Sequence, residues 1–364
     1  MKSAKIVKNR FFSRGPFFLI LYVTARCNAR CKFCYYWDNI TNWRARPHLE
    51  LDEIEKITSR LDTLQQLTIS GGEPFLREEL AEICTIVRKN CDVQFITIPT
   101  NGILTSKTEK TLKKALQENP GVDFRVGLSM PEMGEELDEL YGVKNSFQQH
   151  QETFKMMKSL RDVYPNLNID VGIVYNMYNA KRVREIIDYV VNNMEGCNPI
   201  VSVVREATSV GKPRMEDSKN IEVEELENIY TYLRESIPKR NNRPYADFMN
   251  IMRDQVHEIT VKTLRDKKMV IPCKSGEKLL VIYDNGDVFP CELLDEKMGN
   301  IRDFDYDLNA ILELKESKQI VEKIVKDECH CTWECANNNN ILFSDKFSVE
   351  LFSRYAKYKM GAYA

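Results

Sequence analysis

Six short apolar runs rich in β-branched residues recur along the first two thirds of the chain. They fall at Phe17–Val23, Gln66–Ser70, Val93–Pro99, Phe124–Ser129, Ile169–Val174 and Ile200–Val204. Amphipathic stretches with helical spacing lie between them, at Leu51–Leu61, Glu78–Lys89, Leu112–Leu116, Phe147–Leu160 and Val183–Val191. Strands that alternate with helices predict a parallel sheet with right-handed crossovers, covered on both faces. Six such units fit a partial (β/α)6 TIM-like barrel better than a closed eight-stranded one. The pattern changes after residue 217. Residues 218–268 read as a charged helical connection with a turn-rich break at Pro238–Pro244. Residues 269–364 then read as a small cysteine-rich α+β domain. It opens with a β-hairpin whose arms are Leu279–Tyr283 and Val288–Phe289, with Asn285-Gly286 in the turn. A last helix is predicted over Val349–Lys359.

Charge and length narrow the classes of function. The 364 residues exceed one ordinary core and imply about two domains. A formal net charge of -2 argues against a protein that grips nucleic-acid phosphates, since that needs a clustered basic face. The apolar run Pro16–Val23 is too short to span a bilayer, and no secretion signal is legible, so a cytoplasmic protein without a membrane role is expected.

Eleven cysteines change the picture. An odd count without a secretion signal speaks against a disulfide framework. Three thiols fall in Cys27-x3-Cys31-x2-Cys34, directly after the first strand, where open and barrel α/β sheets carry their chemistry. Three thiolates on one loop can each bind one iron of a 4Fe-4S cluster and leave the fourth iron open. Structural zinc would need a fourth ligand, and His48 is the only histidine nearby. Five more thiols, Cys273, Cys291, Cys329, Cys331 and Cys335, bracket the hairpin and follow it. A hairpin and a cysteine knuckle can converge on one metal, for which zinc and iron–sulfur are both suitable. Cys84, Cys91 and Cys197 are scattered and read as small buried residues. No general acid or base is apparent: His48, His150, His257 and His330 stand in no catalytic context.

The stretch Cys27-Asn28-Ala29-Arg30-Cys31-Lys32-Phe33-Cys34 resembles the hallmark motif of the radical S-adenosylmethionine (SAM) superfamily. Gly71-Gly72-Glu73-Pro74 after the second strand resembles the family's SAM-binding element, and Thr100-Asn101-Gly102 after the third is another recurrent feature. The resemblance implies an enzyme that cleaves SAM reductively at a 4Fe-4S cluster. The resulting 5′-deoxyadenosyl radical takes hydrogen from an organic substrate, either a peptide or a small molecule. It also implies an electron donor such as flavodoxin or ferredoxin. By the same resemblance Phe33 packs near adenine, Gly71, Gly72, Glu73, Pro74 and Asn101 form the cofactor cradle, and Ser129 meets the ribose. Asn176 and Arg205, at the ends of strands five and six, reach SAM or substrate, or else fix their own loops. The C-terminal pattern is similar to the SPASM and twitch extensions, which hold auxiliary 4Fe-4S clusters. Five cysteines against four ligands leave that set open, with Cys273, Cys291 and Cys335 preferred and Cys331 ahead of Cys329. A reading from another class is a non-catalytic iron–sulfur or zinc-binding interaction protein on the same fold.

Overall fold

A computed structural model describes residues 15–205, 221–237 and 246–360. Nine strands form one sheet in the order β6-β5-β4-β3-β2-β1-β7-β8-β9. β1 (Phe18–Tyr22), β2 (Gln66–Ser70), β3 (Phe95–Thr100), β4 (Asp123–Ser129), β5 (Leu167–Tyr175) and β6 (Asn198–Val203) run parallel, as the pattern predicts. The helices between them include α1 (Trp37–Thr41), α2 (Leu51–Ser59), α3 (Leu80–Cys91), α4 (Thr105–Glu118), α5 (Glu135–Tyr141), α6 (Ser146–Val163) and α7 (Val183–Asn193). The result is an open, partial barrel. The expected break at Pro238–Pro244 lies outside the described residues.

The hairpin does something the linear pattern does not convey. β7 (Leu279–Ile282) pairs in parallel with β1, from Phe18 opposite Leu279 to Leu21 opposite Ile282. β8 (Asp287–Phe289) and β9 (Gly299–Asn300) then continue the sheet antiparallel. β1 is therefore central, and all five of its residues are buried. Period-two alternation divides them between two cores. Leu19 and Leu21 face the helices together with Leu280 and Ile282 of β7. Phe18, Ile20 and Tyr22 face the other way, joining Leu279, Val281, Tyr283, Cys291 and Trp333. Each such aliphatic side chain contributes about 1.5–3 kcal/mol on burial, so the β1–β7 seam is strongly held.

Outside the sheet, α8 (Val223–Ser236) and α9 (Ala246–Asp266) follow the barrel. α10 (Leu308–Glu313), α11 (Lys315–Lys326), α12 (Glu334–Phe343) and α13 (Asp345–Lys359) complete the chain. α9, α12 and α13 share an apolar cluster that includes Ile251, Met252, Ile341 and Leu351. Arg302 holds the C-terminal part to α2, donating to Glu53 at 2.6 and 2.9 Å. Glu53 also closes the capping box of α2, and Arg302 is the main reason its carboxyl falls to about 2.

Candidate active site and second thiol centre

The carboxyl ends of β1, β2 and β3 bring the three N-terminal motifs together. Gly71 sits at φ 150°, and a Cβ there would lie 2.4 Å from the Thr24 carbonyl oxygen. At Gly72 a Cβ would lie 2.3 Å from the Arg26 carbonyl oxygen, so only glycines allow this close approach. The two backbones are joined by Gly72 N–H to Thr24 O at 2.9 Å and Glu73 N–H to Arg26 O at 2.8 Å. The glycine turn thus lies flush against the segment that leads into Cys27.

Glu73 extends the junction to the third motif. Its buried carboxylate accepts from Phe75 N–H at 3.1 Å, Thr100 Oγ1 at 2.9 Å and Asn101 N–H at 2.9 Å. Burial lifts this carboxyl to about 7 against the pull of those donors. Asn101 Nδ2 in turn donates to Asn28 Oδ1, on the cysteine loop, at 2.8 Å. Glu73 therefore acts as a brace among motifs. Pro74 starts a buried 3-10 turn over Pro74–Leu76.

The cysteine loop hangs on the end of α5: Arg30 N–H donates to Tyr141 O at 2.7 Å and Lys32 N–H to Leu140 O at 3.1 Å. Cys27, Cys31 and Cys34 are half-buried and close enough to repel one another as thiolates. Burial, with Glu73 adding to it, pushes the Cys27 thiol up to about 12. Such thiols stay neutral unless a metal takes the proton's place. The donor set fits a cluster ligand loop, since Cys27 Sγ already accepts from Ala29 N–H at 3.4 Å. Among the described residues no three His, Cys, Asp or Glu side chains meet at the spacing of a single ion. Thiolates that each bind their own iron need no such convergence.

A second group of thiols forms around the β7–β8 hairpin and the segment before α12. Cys273, Cys291, Cys329 and Cys331 line one cavity of about 500 Å³. Burial raises Cys291 to about 12, with Cys273 and Cys329 adding to it, and Cys331 is raised by burial and by the other three. Cys291 Sγ accepts from Leu293 N–H at 3.4 Å and Leu294 N–H at 3.3 Å, and the Trp333 amide donates to Cys331. These amides, like that at Cys27, suit sulfurs that carry charge. Cys335, preferred over Cys329 from spacing, is not among the residues lining this cavity. Cys335 is raised to about 12 by burial and by Glu292, and its other charged neighbours are Arg205 and Glu334 rather than the four thiols. Cys331 precedes α12, and Cys335 lies in its first turn.

Between the two groups lies a seam that sequence reading largely missed. The Arg205 guanidinium lies 4.8 Å from the Tyr35 ring centre and 5.6 Å from that of Trp333. It is ion-paired with Glu292, which also accepts from Tyr22 Oη at 2.7 Å. Tyr22 and Tyr35 hydroxyls are 2.8 Å apart. Tyr35 adjoins Cys34 and Glu292 adjoins Cys291, so the seam connects both cysteine loops. The available signal was the position of these polar residues directly beside cysteines.

Other expected contacts resolve unevenly. Phe33 is half-buried on the cysteine loop, and Ser129 ends β4, where its carbonyl accepts from Tyr141 Oη at 2.6 Å. Asn176 is 1% exposed and serves its own loop. Its Nδ2 donates to Val174 O at 2.7 Å, and its Oδ1 accepts from Tyr178 N–H at 2.9 Å. Arg205 is likewise engaged by protein. His150 is buried beneath Gly102, and His257 stacks on Tyr230 at 3.8 Å. His330, between two of the thiols, lines their cavity. No helix among the described residues is long and apolar enough to cross a membrane.

The parallel partial barrel thus carries three thiols after β1 and a glycine turn after β2. Residues 21–190 match the radical SAM superfamily. That family works with a 4Fe-4S cluster and SAM. The chain is 36% identical over 97 residues to GTP 3′,8-cyclase of Cronobacter sakazakii, covering 25% of this chain and 29% of that protein. It is 34% identical over 122 residues to a probable GTP 3′,8-cyclase of Methanococcus aeolicus, covering 33% and 38%. The matches thus span about a third of those relatives. In fold the chain is similar to Streptococcus suis SuiB bound to S-adenosylmethionine, with TM-score 0.55, 18% identity and coverage of 87% and 70%. It is also similar to anSMEcpe with bound AdoMet and Kp18Cys peptide, with TM-score 0.55, 19% identity and 88% of both chains covered.

Proposed function

We propose that this chain cleaves SAM reductively at a cluster on Cys27, Cys31 and Cys34 and removes hydrogen from an organic substrate. The observation that carries this reading is the interlock of the three motifs: the glycine turn packs on the residues before Cys27, and Glu73 and Asn101 brace the loop from behind. Cluster and SAM supply a 5′-deoxyadenosyl radical when bound. The chain's own part is to hold the cradle rigid, keep water from it and orient the reactants. Residues 1–217 would form this core, and 218–268 would connect it to an auxiliary unit over 269–364. There, Cys273, Cys291, Cys329 and Cys331 would hold a second 4Fe-4S cluster. An electron donor of the flavodoxin or ferredoxin kind is required. The GTP named in the relatives and the peptide bound by anSMEcpe leave a small molecule and a peptide both open as substrate.

The competing reading is a non-catalytic iron–sulfur or zinc-binding interaction protein, and the intact cradle speaks against it. The test is anaerobic reduction of the reconstituted chain with dithionite and SAM. Release of 5′-deoxyadenosine is expected, and its loss is expected when Cys27, Cys31 and Cys34 are all replaced by Ala. Cleavage by that triple variant would refute the assignment.

A further inference from the structure

The cavity at the second thiol group contains two polar atoms left unmet by the described residues. Ser275 and Trp333 are each 2% exposed, and among the described residues neither Ser275 Oγ nor Trp333 Nε1 has a hydrogen-bond partner. Both residues line the same cavity as Cys273, Cys291, Cys329 and Cys331. An indole N–H can only donate, and a buried donor left without an acceptor is costly. Three of the polar residues in the cavity are engaged elsewhere. Asn340 Oδ1 accepts from Lys274 N–H at 2.8 Å, Asn337 Nδ2 donates to Cys331 O at 3.4 Å, and Glu334 Oε1 accepts from Val203 N–H at 3.3 Å. Much of the remaining wall is apolar, including Val204, Ile271, Leu293 and Leu294. The acceptors still to be supplied are the sulfurs of whatever the four thiols hold.

We propose that Ser275 and Trp333 donate hydrogen bonds to the sulfurs of the auxiliary cluster and thereby set its reduction potential. The inference rests on the auxiliary-cluster reading above. Reduction adds negative charge to the sulfurs, so a donor favours the reduced state and raises the potential. Trp333 is suited to this because its amide already serves Cys331 while its ring stacks beneath Arg205. The indole is held from both ends.

The experiment is an EPR-monitored redox titration of the reconstituted full chain with SAM bound, so that the two clusters give distinct signals. Trp333→Phe keeps an aromatic ring and removes the N–H together with the rest of the five-membered ring. Ser275→Ala removes the hydroxyl, and Ser275→Thr restores it. Each loss of a donor is expected to shift the reduced-to-oxidised ratio of the auxiliary cluster about tenfold toward oxidised, equal to about 59 mV for one electron. Ser275→Thr should return the wild-type value, and the first cluster should not move. Variants holding about eight irons with an unchanged auxiliary potential would overturn the donor role and leave the auxiliary cluster standing. Wild-type chain holding only about four irons would remove the auxiliary cluster, and this inference with it.

Discussion

Cys27, Cys31 and Cys34 lie on one short loop, whereas Cys273, Cys291, Cys329 and Cys331 come from three separate segments of chain. The first group needs little of the fold to bring its thiols together. It needs the fold to build what surrounds them: Gly71 and Gly72 against Thr24–Arg26, and Glu73 beneath Asn101. The second group needs the fold for the thiols themselves. β7 must dock on β1 to position Cys273 and Cys291, and α12 must reach back to that loop through Asn340. Local spacing therefore suffices to recognise the first centre, while the second is a product of tertiary packing.

The largest expected effect sharpens the ligand set of the second centre. Cys291→Ala should lose the auxiliary iron entirely, whereas Cys335→Ala should retain it, as measured by iron and sulfide content after anaerobic reconstitution. Equal loss in both variants would return Cys335 to the ligand set. Because β7 is a buried strand of the main sheet, the hairpin should stay in place in either variant.

Acid should weaken the first region through a group that is no ligand. Burial lowers His150 from its ordinary 6.5 to about 4. The unfolded chain therefore binds the proton first, so this stability is complete above pH 6.5 and declines as pH falls toward 4. The full loss is on the order of 3 kcal/mol. Comparing denaturation midpoints of wild type and His150→Phe across that window checks it: a parallel pH dependence would exclude His150 as the cause.

A smaller effect is expected from Gly72→Ala, whose methyl meets fixed backbone. It should cost about 1–3 kcal/mol and weaken SAM binding while leaving the second centre's iron content unchanged. Isothermal titration with SAM together with iron analysis would test this, and unimpaired SAM binding would count against the close-approach argument. Smallest is Asn340→Ala. It leaves Lys274 N–H without its acceptor and should cost about 1 kcal/mol, with the destabilisation confined to the Cys273 loop. Hydrogen exchange at residues near 274 should rise, and exchange in β2–β4 should not.

Particular residues mark where sequence reading reached its limit. The strands of the barrel were legible because period-two and period-3.6 patterns are set by local geometry, whatever the partner. α12 was not: Asn337–Asn340 looks like a loop, yet Asn340 is buried because its carbonyl oxygen serves the Lys274 amide. Cys335 was preferred from spacing, whereas the cavity is lined by Cys329, because a linear count does not convey which thiols folding brings together. Asn176 sits at a position where function was plausible, and its side chain makes two hydrogen bonds within its own loop, to Val174 O and from Tyr178 N–H.

By itself the sequence determined the parallel α/β class, the three-motif cradle and the presence of a second thiol-rich region. Each of those depends on residue types at short separation, where chain geometry leaves few choices. Only the tertiary structure decided that the hairpin extends the barrel's own sheet and which four thiols share a cavity. It alone joined Arg205, Glu292, Tyr22 and Tyr35 into one seam between the centres. These depend on contacts between residues far apart in the chain, which are selected by burial and by the need of buried polar groups for partners.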